Sequence, residues 1–245
     1  LICAANVICH IPDLKDVFKS VKNLLSENGV FVFEEPYLGS VFEKTSYDQI
    51  YDEHIFLFSA LSISKMSKKF DLKLIDLLPQ ETHGGSMRYV ITKNTNDRKV
   101  SKRVNDILKK EKKNDLDNLK SCKKFKKKCL LLRKNLQNTL MKLKKENKKI
   151  CGYAATSKST TILNYCKIGP DLIGYITDTT SEKIGKFSPG MHIPIINHKF
   201  FFKDKPDVAV LFAWNHQKEI FKKELNFKKN KGLWLTFFPK VKIDY

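Results

Sequence analysis

The sequence predicts an α/β protein in three stretches: two mixed α/β units, 1–95 and 150–245, on either side of a helical connector, 96–149. Three observations carry that prediction. Residues 1–95 alternate short apolar runs with segments of helical periodicity. Residues 96–149 contain no Pro and no Gly, and their apolar residues step by three or four. Residues 150–245 return to apolar runs separated by turns, the pattern of a second α/β unit.

In the first stretch, Leu1–Ala5 reads as a short strand that ends at Asn6. Leu14, Val17, Phe18, Val21, Leu24 and Leu25 recur at helical spacing, behind an Asp13 N-cap that follows Pro12. Asn28-Gly29 closes that helix, and Val30–Phe33 is a buried strand running into Glu34-Glu35-Pro36. Ser59 caps a helix bearing Ile63, Met66 and Phe70. Leu72–Leu78 and Met87–Thr92 then read as two strands joined by a glycine loop. Ligands of open α/β sheets bind at the carboxyl ends of strands, which is where Asn6, Glu34 and Glu35 fall.

The connector reads as a shorter helix with Val104, Ile107 and Leu108, then a longer one. The longer helix carries a stripe from Leu116 to Leu143 and a solvated lysine face. Cys122 and Cys129, a heptad apart on it, read as small buried residues. In the last stretch, Ile150–Ala154 is a strand and Thr156–Thr161 a hydroxyl-rich turn before a helix opening at Ile162. Leu172–Thr177 is a second strand ending in Asp178, followed by strands at Val208–Phe212 and Leu233–Phe237.

Composition narrows the function. With 42% hydrophobic residues and no apolar run of membrane-spanning length, the chain reads as soluble and cytoplasmic, without a membrane partner. It starts at Leu1 without an initiator Met and inside a strand, and so reads as a fragment. The net charge of +20 points at first to nucleic acid, but only four basic residues are arginine: Arg88, Arg98, Arg103 and Arg133. Dedicated nucleic-acid readers favour the arginine fork, so no nucleic-acid partner is expected. Six cysteines show no CxxC and no histidine at metal spacing, so no metal site is expected.

Two short clusters carry chemistry. Tyr51-Asp52-Glu53-His54 puts a phenol, acids and an imidazole within four residues, and His83-Gly84-Gly85-Ser86-Met87-Arg88 sets a glycine pair beside a hydroxyl and a guanidinium. A third, Asn6-Val7-Ile8-Cys9-His10-Ile11-Pro12-Asp13, lies upstream. Together they describe proton transfer on an anionic substrate. In the carboxyl-terminal stretch, Ser157, Lys158 and the neighbouring hydroxyls follow a first strand and Asp178 ends the next. That placement is reminiscent of a nucleotide-binding half, although no GxGxxG is present. A polar helix cap accounts for the same spacing equally well.

These stretches resemble the S-adenosylmethionine-dependent C-methyltransferases that act on nucleotide-linked keto-sugars. The likeness runs in order through Ala5–Asp13, Glu34-Glu35-Pro36-Tyr37, Ile50–His54 and His83–Arg88. It continues through Gly152–Tyr165, Asp178-Thr179, Gly185-Lys186, Pro189-Gly190, His192-Ile193-Pro194 and Ala213-Trp214-Asn215. The resemblance implies part of a class I methyltransferase sheet, a long helical connector and a Rossmann-like carboxyl-terminal domain. Family members also carry an amino-terminal cysteine zinc module and a glycine-rich cofactor loop. Neither lies in this sequence, so most of the S-adenosylmethionine site is expected outside it, and zinc with it.

Methylating carbon requires a carbon nucleophile, made by removing a proton next to a ketone. That takes a base near neutral pKa and a donor for the enolate oxygen. The resemblance supports Tyr51, Glu53, His54, Asn6 and His10. Among them His54 is the natural base, Glu53 a relay or orienting acid, Tyr51 and His10 donors to the oxyanion, and Asn6 a cofactor-binding residue. Ser86 and Arg88 suit the sugar and its diphosphate; Ser157, Lys158 and Asp178 suit the nucleotide. His192, His198 and His216 read as structural or surface residues. The alternative is a fragment that binds nucleotide-sugar without methyl transfer.

Overall fold

The computed structural model describes residues 1–244. The chain divides into two compact units, Leu1–Lys126 and Lys127–Tyr245. It is an α/β fold with two sheets.

The first unit contains β1 (Ile2–Ala5), α1 (Leu14–Leu24), β2 (Phe31–Pro36), α2 (Leu38–Lys44), α3 (Ala60–Lys69), β3 (Leu72–Gln80), β4 (Ser86–Lys93) and α4 (Lys102–Lys113). The unit boundary falls inside α5 (Leu119–Lys145). The sheet order is β1-β2-β4-β3, with β1 and β2 parallel and the other pairs antiparallel. Alternation puts Phe31 and Phe33 on the core face of β2, where they stack at 5.1 Å. Leu14, Phe18 and Val21 of α1 cover the same core, one turn apart as the periodicity requires. Asp13 caps α1 by accepting from Asp16 N–H at 3.0 Å. The short α2 is unheralded by periodicity, since only Val41 is buried among its seven residues.

α4 is tied to this unit rather than standing free. Val104 enters the core, and Glu111, 1% exposed, reaches back to the start of α3. Its carboxylate accepts from Ala60 N–H (2.7 Å), Leu61 N–H (2.8 Å) and the Tyr37 hydroxyl (2.8 Å). With the Ser59–Ser62 capping box, Glu111 satisfies orphan donors at that helix end.

The second unit is a six-stranded sheet. After α5 come β5 (Ile150–Tyr153), α6 (Ser157–Cys166), β6 (Ile176–Asp178), β7 (Ile195–Asn197), α7 (Lys199–Asp204), β8 (Val208–Leu211), α8 (Gln217–Lys223), α9 (Leu225–Lys229), β9 (Leu233–Thr236) and β10 (Lys242–Asp244). The order is β10-β9-β8-β5-β6-β7, parallel except for the β10–β9 pair. β5 and β8 are buried at every position, as expected of central parallel strands. Leu132, Leu136, Leu140 and Leu143 line the buried face of α5.

Several expectations change. Cys122 is exposed while Cys129 is buried, because the inward face of α5 runs through Ser121, Phe125 and Cys129, one position off Cys122; Leu119 is exposed as well. The strand expected at 172–177 shrinks to Ile176–Asp178, because parallel pairing with β5 begins only at Ile176. The hydroxyl-rich stretch is no free turn: Thr156 is an N-cap, accepting from Ser159 N–H, and 157–161 are already helix.

Candidate active site

Parallel β1 and β2 end side by side, and the chain leaving β1 makes the first part of the site. Asn6, exposed and at φ 54°, donates its N–H to Glu34 O (2.9 Å), turning the chain out of the sheet. Glu35, wholly buried at the end of β2, accepts from Val7 N–H (2.9 Å) and Ile8 N–H (2.7 Å) through Oε1. One carboxylate therefore shapes the turn that delivers Cys9 and His10. Cys9 is buried, and burial followed by the neighbouring Glu35 carboxylate pushes its thiol far above the usual range.

The second part is the 49–54 segment. His54 Nδ1 lies 2.8 Å from Gln49 O, and Nε2 lies 3.0 Å from the Tyr51 hydroxyl. A carbonyl only accepts, so Nδ1 carries the hydrogen and Nε2 of the neutral ring accepts from Tyr51. The His10 and His54 rings meet edge to face at 5.3 Å. Tyr51, His54 and His10 thus converge on one place. Burial, then the charge of Glu53, pushes the Tyr51 phenol up to about 12, so at neutral pH it is a hydrogen-bond donor, not a base. Glu53 itself is exposed, and its carboxylate makes no hydrogen bond or ion pair among the described residues. It acts on Tyr51 through its field.

The glycine loop supports this segment. The Gln49 side-chain amide donates to His83 O, and the Lys44 ammonium to Gly84 O. Gly85 sits at φ 134°, and a Cβ there would lie 2.6 Å from Ser40 Cβ, so only glycine lets the loop pass α2. Ser86 does not face a ligand: it is 1% exposed, and its hydroxyl donates to Thr82 O across the loop. Arg88 stands opposite Glu34 in the β2–β4 register and forks onto its carboxylate at 2.8 and 3.2 Å. Its side chain remains 42% exposed, leaving part of the guanidinium open to solvent.

Spacing in the chain conceals a further grouping. Cys9, His10 and His54 bring their ligand atoms within 4.8 Å of one another, although no cysteine has a histidine at a familiar metal spacing. Gln49 was also missed as a site residue, and Glu35, though placed at a strand end, was given no role. A glutamate closing an apolar strand was the visible signal for Glu35; Gln49 acts through its backbone oxygen and gave none.

In the second unit Ser157 is exposed on the first turn of α6. Lys158 is mostly buried, its ammonium 5.8 Å from the centre of the Trp214 ring. Asp178 accepts from Ala155 N–H (2.7 Å) and Thr180 N–H (2.8 Å) and lies 3.8 Å from Lys183. Burial opposes its charge, but those hydrogen bonds and Lys183 outweigh it and hold the carboxyl below its ordinary value. Asp178 thereby ties the ends of β5 and β6 together. His198 joins a buried network, between Thr177 and Glu224, that Tyr153 completes.

Two family profiles match in succession: a methyltransferase domain over residues 1–77, and the C-methyltransferase C-terminal domain over 81–239. The chain belongs to the C-methyltransferase family. Among curated proteins it is similar to the C-methyltransferase NovU of Streptomyces niveus, 28% identical over 243 residues. That match covers 99% of this chain, which spans 58% of the length of that relative. Among the described residues no helix is long and apolar enough to cross a membrane.

Proposed function

We propose that this chain carries the deprotonation machinery of a C-methyltransferase that acts on a nucleotide-linked keto-sugar. The observation that supports it most is the placement of His54: Nδ1 anchored on a carbonyl, Nε2 turned toward a phenol and a second imidazole. That is a base with its donors already assembled, as an enolate-forming step requires.

In this reading His54 Nε2 takes the proton from the carbon next to the ketone. The Tyr51 hydroxyl turns from His54 to the developing enolate oxygen, and His10 faces the same oxygen. The carbanion character that results is what a methyl donor meets. S-adenosylmethionine, when bound, supplies the electrophilic methyl group. Asn6, exposed at the carboxyl end of β1, is the residue of this chain that fits against it. Arg88, on β4 opposite Glu34, serves the sugar diphosphate. In the second unit, taken by itself, Ser157 and Lys158 at the start of α6 are the groups suited to a nucleotide, and Asp178 shapes the ends of β5 and β6.

Proton exchange tests the reading without the cofactor. A nucleotide-linked keto-sugar incubated with the protein in D2O is expected to lose its proton next to the ketone, followed by NMR. His54→Ala is expected to stop the exchange. No exchange above the buffer rate with a bound keto-sugar would leave a binding module and remove the enolate step.

A further inference from the structure

We propose that Cys9, His10 and His54 form a binding site for a borderline d-block cation, with Zn(II) the best match, and that an occupied site takes His54 out of proton transfer. The second half rests on the methyl-transfer reading; the first does not.

The three ligand atoms lie within 4.8 Å of one another. In a tetrahedral zinc site with bonds of about 2.0–2.3 Å, neighbouring ligand atoms stand about 3.3–3.8 Å apart. Side-chain rotation of about 1 Å closes that difference. One sulfur and two nitrogens form a donor set suited to Zn(II), Co(II) or copper and unsuited to Mg(II) or Ca(II), which take oxygen. Three protein ligands also leave a fourth position open, beside the Tyr51 hydroxyl.

The surroundings are those of a ligand set. A metal-bound imidazole characteristically donates its other N–H to a carbonyl or carboxylate, and His54 Nδ1 already does so to Gln49 O at 2.8 Å. Its Nε2 lone pair, which now accepts from Tyr51 at 3.0 Å, is the one a cation would take. Glu35 is wholly buried, its Oε1 holding the turn from which Cys9 and His10 project. Its carboxylate also stands beside the Cys9 thiol, within reach of the sulfur's hydrogen. Binding exchanges the thiol hydrogen, released to solvent, for a metal–sulfur bond, with no change of oxidation state. The same Nε2 lone pair cannot hold a metal and accept a proton from carbon, so the two occupancies compete.

The test uses the 245-residue chain, titrated with Co(II) and then Zn(II). The expected result is one Co(II) per chain with a near-ultraviolet thiolate-to-cobalt band, bleached by one equivalent of Zn(II). Cys9→Ser should abolish the band, and His54→Ala should weaken binding at least about 10-fold. A Cys3→Ser, Cys122→Ser double variant, which removes the two exposed thiols, should leave the band intact. Zn(II) should also move the NMR signals of two of the six imidazoles, a reading that needs no variant to fold. No band in the unaltered chain, a band that survives in folded Cys9→Ser, or Zn(II)-shifted imidazoles other than His10 and His54 would each overturn the site. Proton exchange from the keto-sugar should fall as Zn(II) fills it. Tight Zn(II) binding with undiminished exchange would refute the competition while leaving the binding site in place.

Discussion

At His54 a backbone carbonyl fills the place that a carboxylate often takes behind a catalytic imidazole. Gln49 O fixes which nitrogen carries the hydrogen, and so which nitrogen can act as base. On the proposed mechanism, His54→Ala in a full-length protein carrying this chain should lower kcat by about 10²–10⁴-fold with a much smaller change in the KM for the proposed nucleotide-sugar. Tyr51→Phe should also lower kcat. Because burial pushes the phenol up to about 12, the pH profiles of Tyr51→Phe and the unaltered protein should have the same shape up to pH about 10. A steep alkaline loss near pH 9 in the unaltered enzyme alone would contradict a donor role. Tyr51 and His54 were legible because local spacing brings them together. The roles of Gln49 and Glu35 were not, because both run through the backbone: Gln49 offers its own carbonyl to His54, and Glu35 holds amides 28 and 27 positions away. Ser86 misled for the opposite reason: a serine beside two glycines looks available, and only the folded loop shows its hydroxyl turned to Thr82 O.

Among the elements, the start of α3 and the glycine loop make the clearest predictions. Burial, opposed by its hydrogen bonds to Leu61, Ala60 and Tyr37, leaves the Glu111 carboxyl above its usual value. A carboxyl raised on folding binds its proton more tightly in the native state. Its contribution to stability is therefore fullest below the unfolded value, about 4.3, and declines as pH rises through the folded one. Urea unfolding across pH 4–7 should show that decline, and Glu111→Gln should flatten it. Glu111→Ala strands two buried amides and a phenol and should cost about 2–4 kcal/mol. Asp178 runs the other way. Its lowered value gives stability that is present above the unfolded value and lost as pH falls through the folded one. In the loop, Gly85→Ala meets both a positive φ and the Ser40 side chain, and should destabilise the first unit by at least about 1–3 kcal/mol in the same assay. The longer elements were legible from period and caps, as α1 behind Asp13 and α3 behind Ser59 show. α2 was not, since seven residues with one buried position carry no period.

On the scale of the molecule, composition described a charge and the fold describes an edge. β1 stands at the end of its sheet, paired only with β2 among the described strands. Ile2 and Asn6 donate to β2-side carbonyls, so in a parallel ladder the N–H groups of Cys3 and Ala5 point outward, and both residues are exposed. In the 245-residue polypeptide taken by itself, an edge carrying no lysine, proline or bulge can pair with another copy. The opposing force is the net charge of +20, which keeps copies apart when the screening length is about 10 Å, as in 0.1 M salt, and fails when it is about 3 Å, as in 1 M. The isolated chain should therefore behave as a solubility switch read by ionic strength: monomeric in sedimentation at low salt and self-associating at high salt. Ala5→Lys should keep it monomeric throughout, and association that persists unchanged in that variant would locate the sticky surface elsewhere.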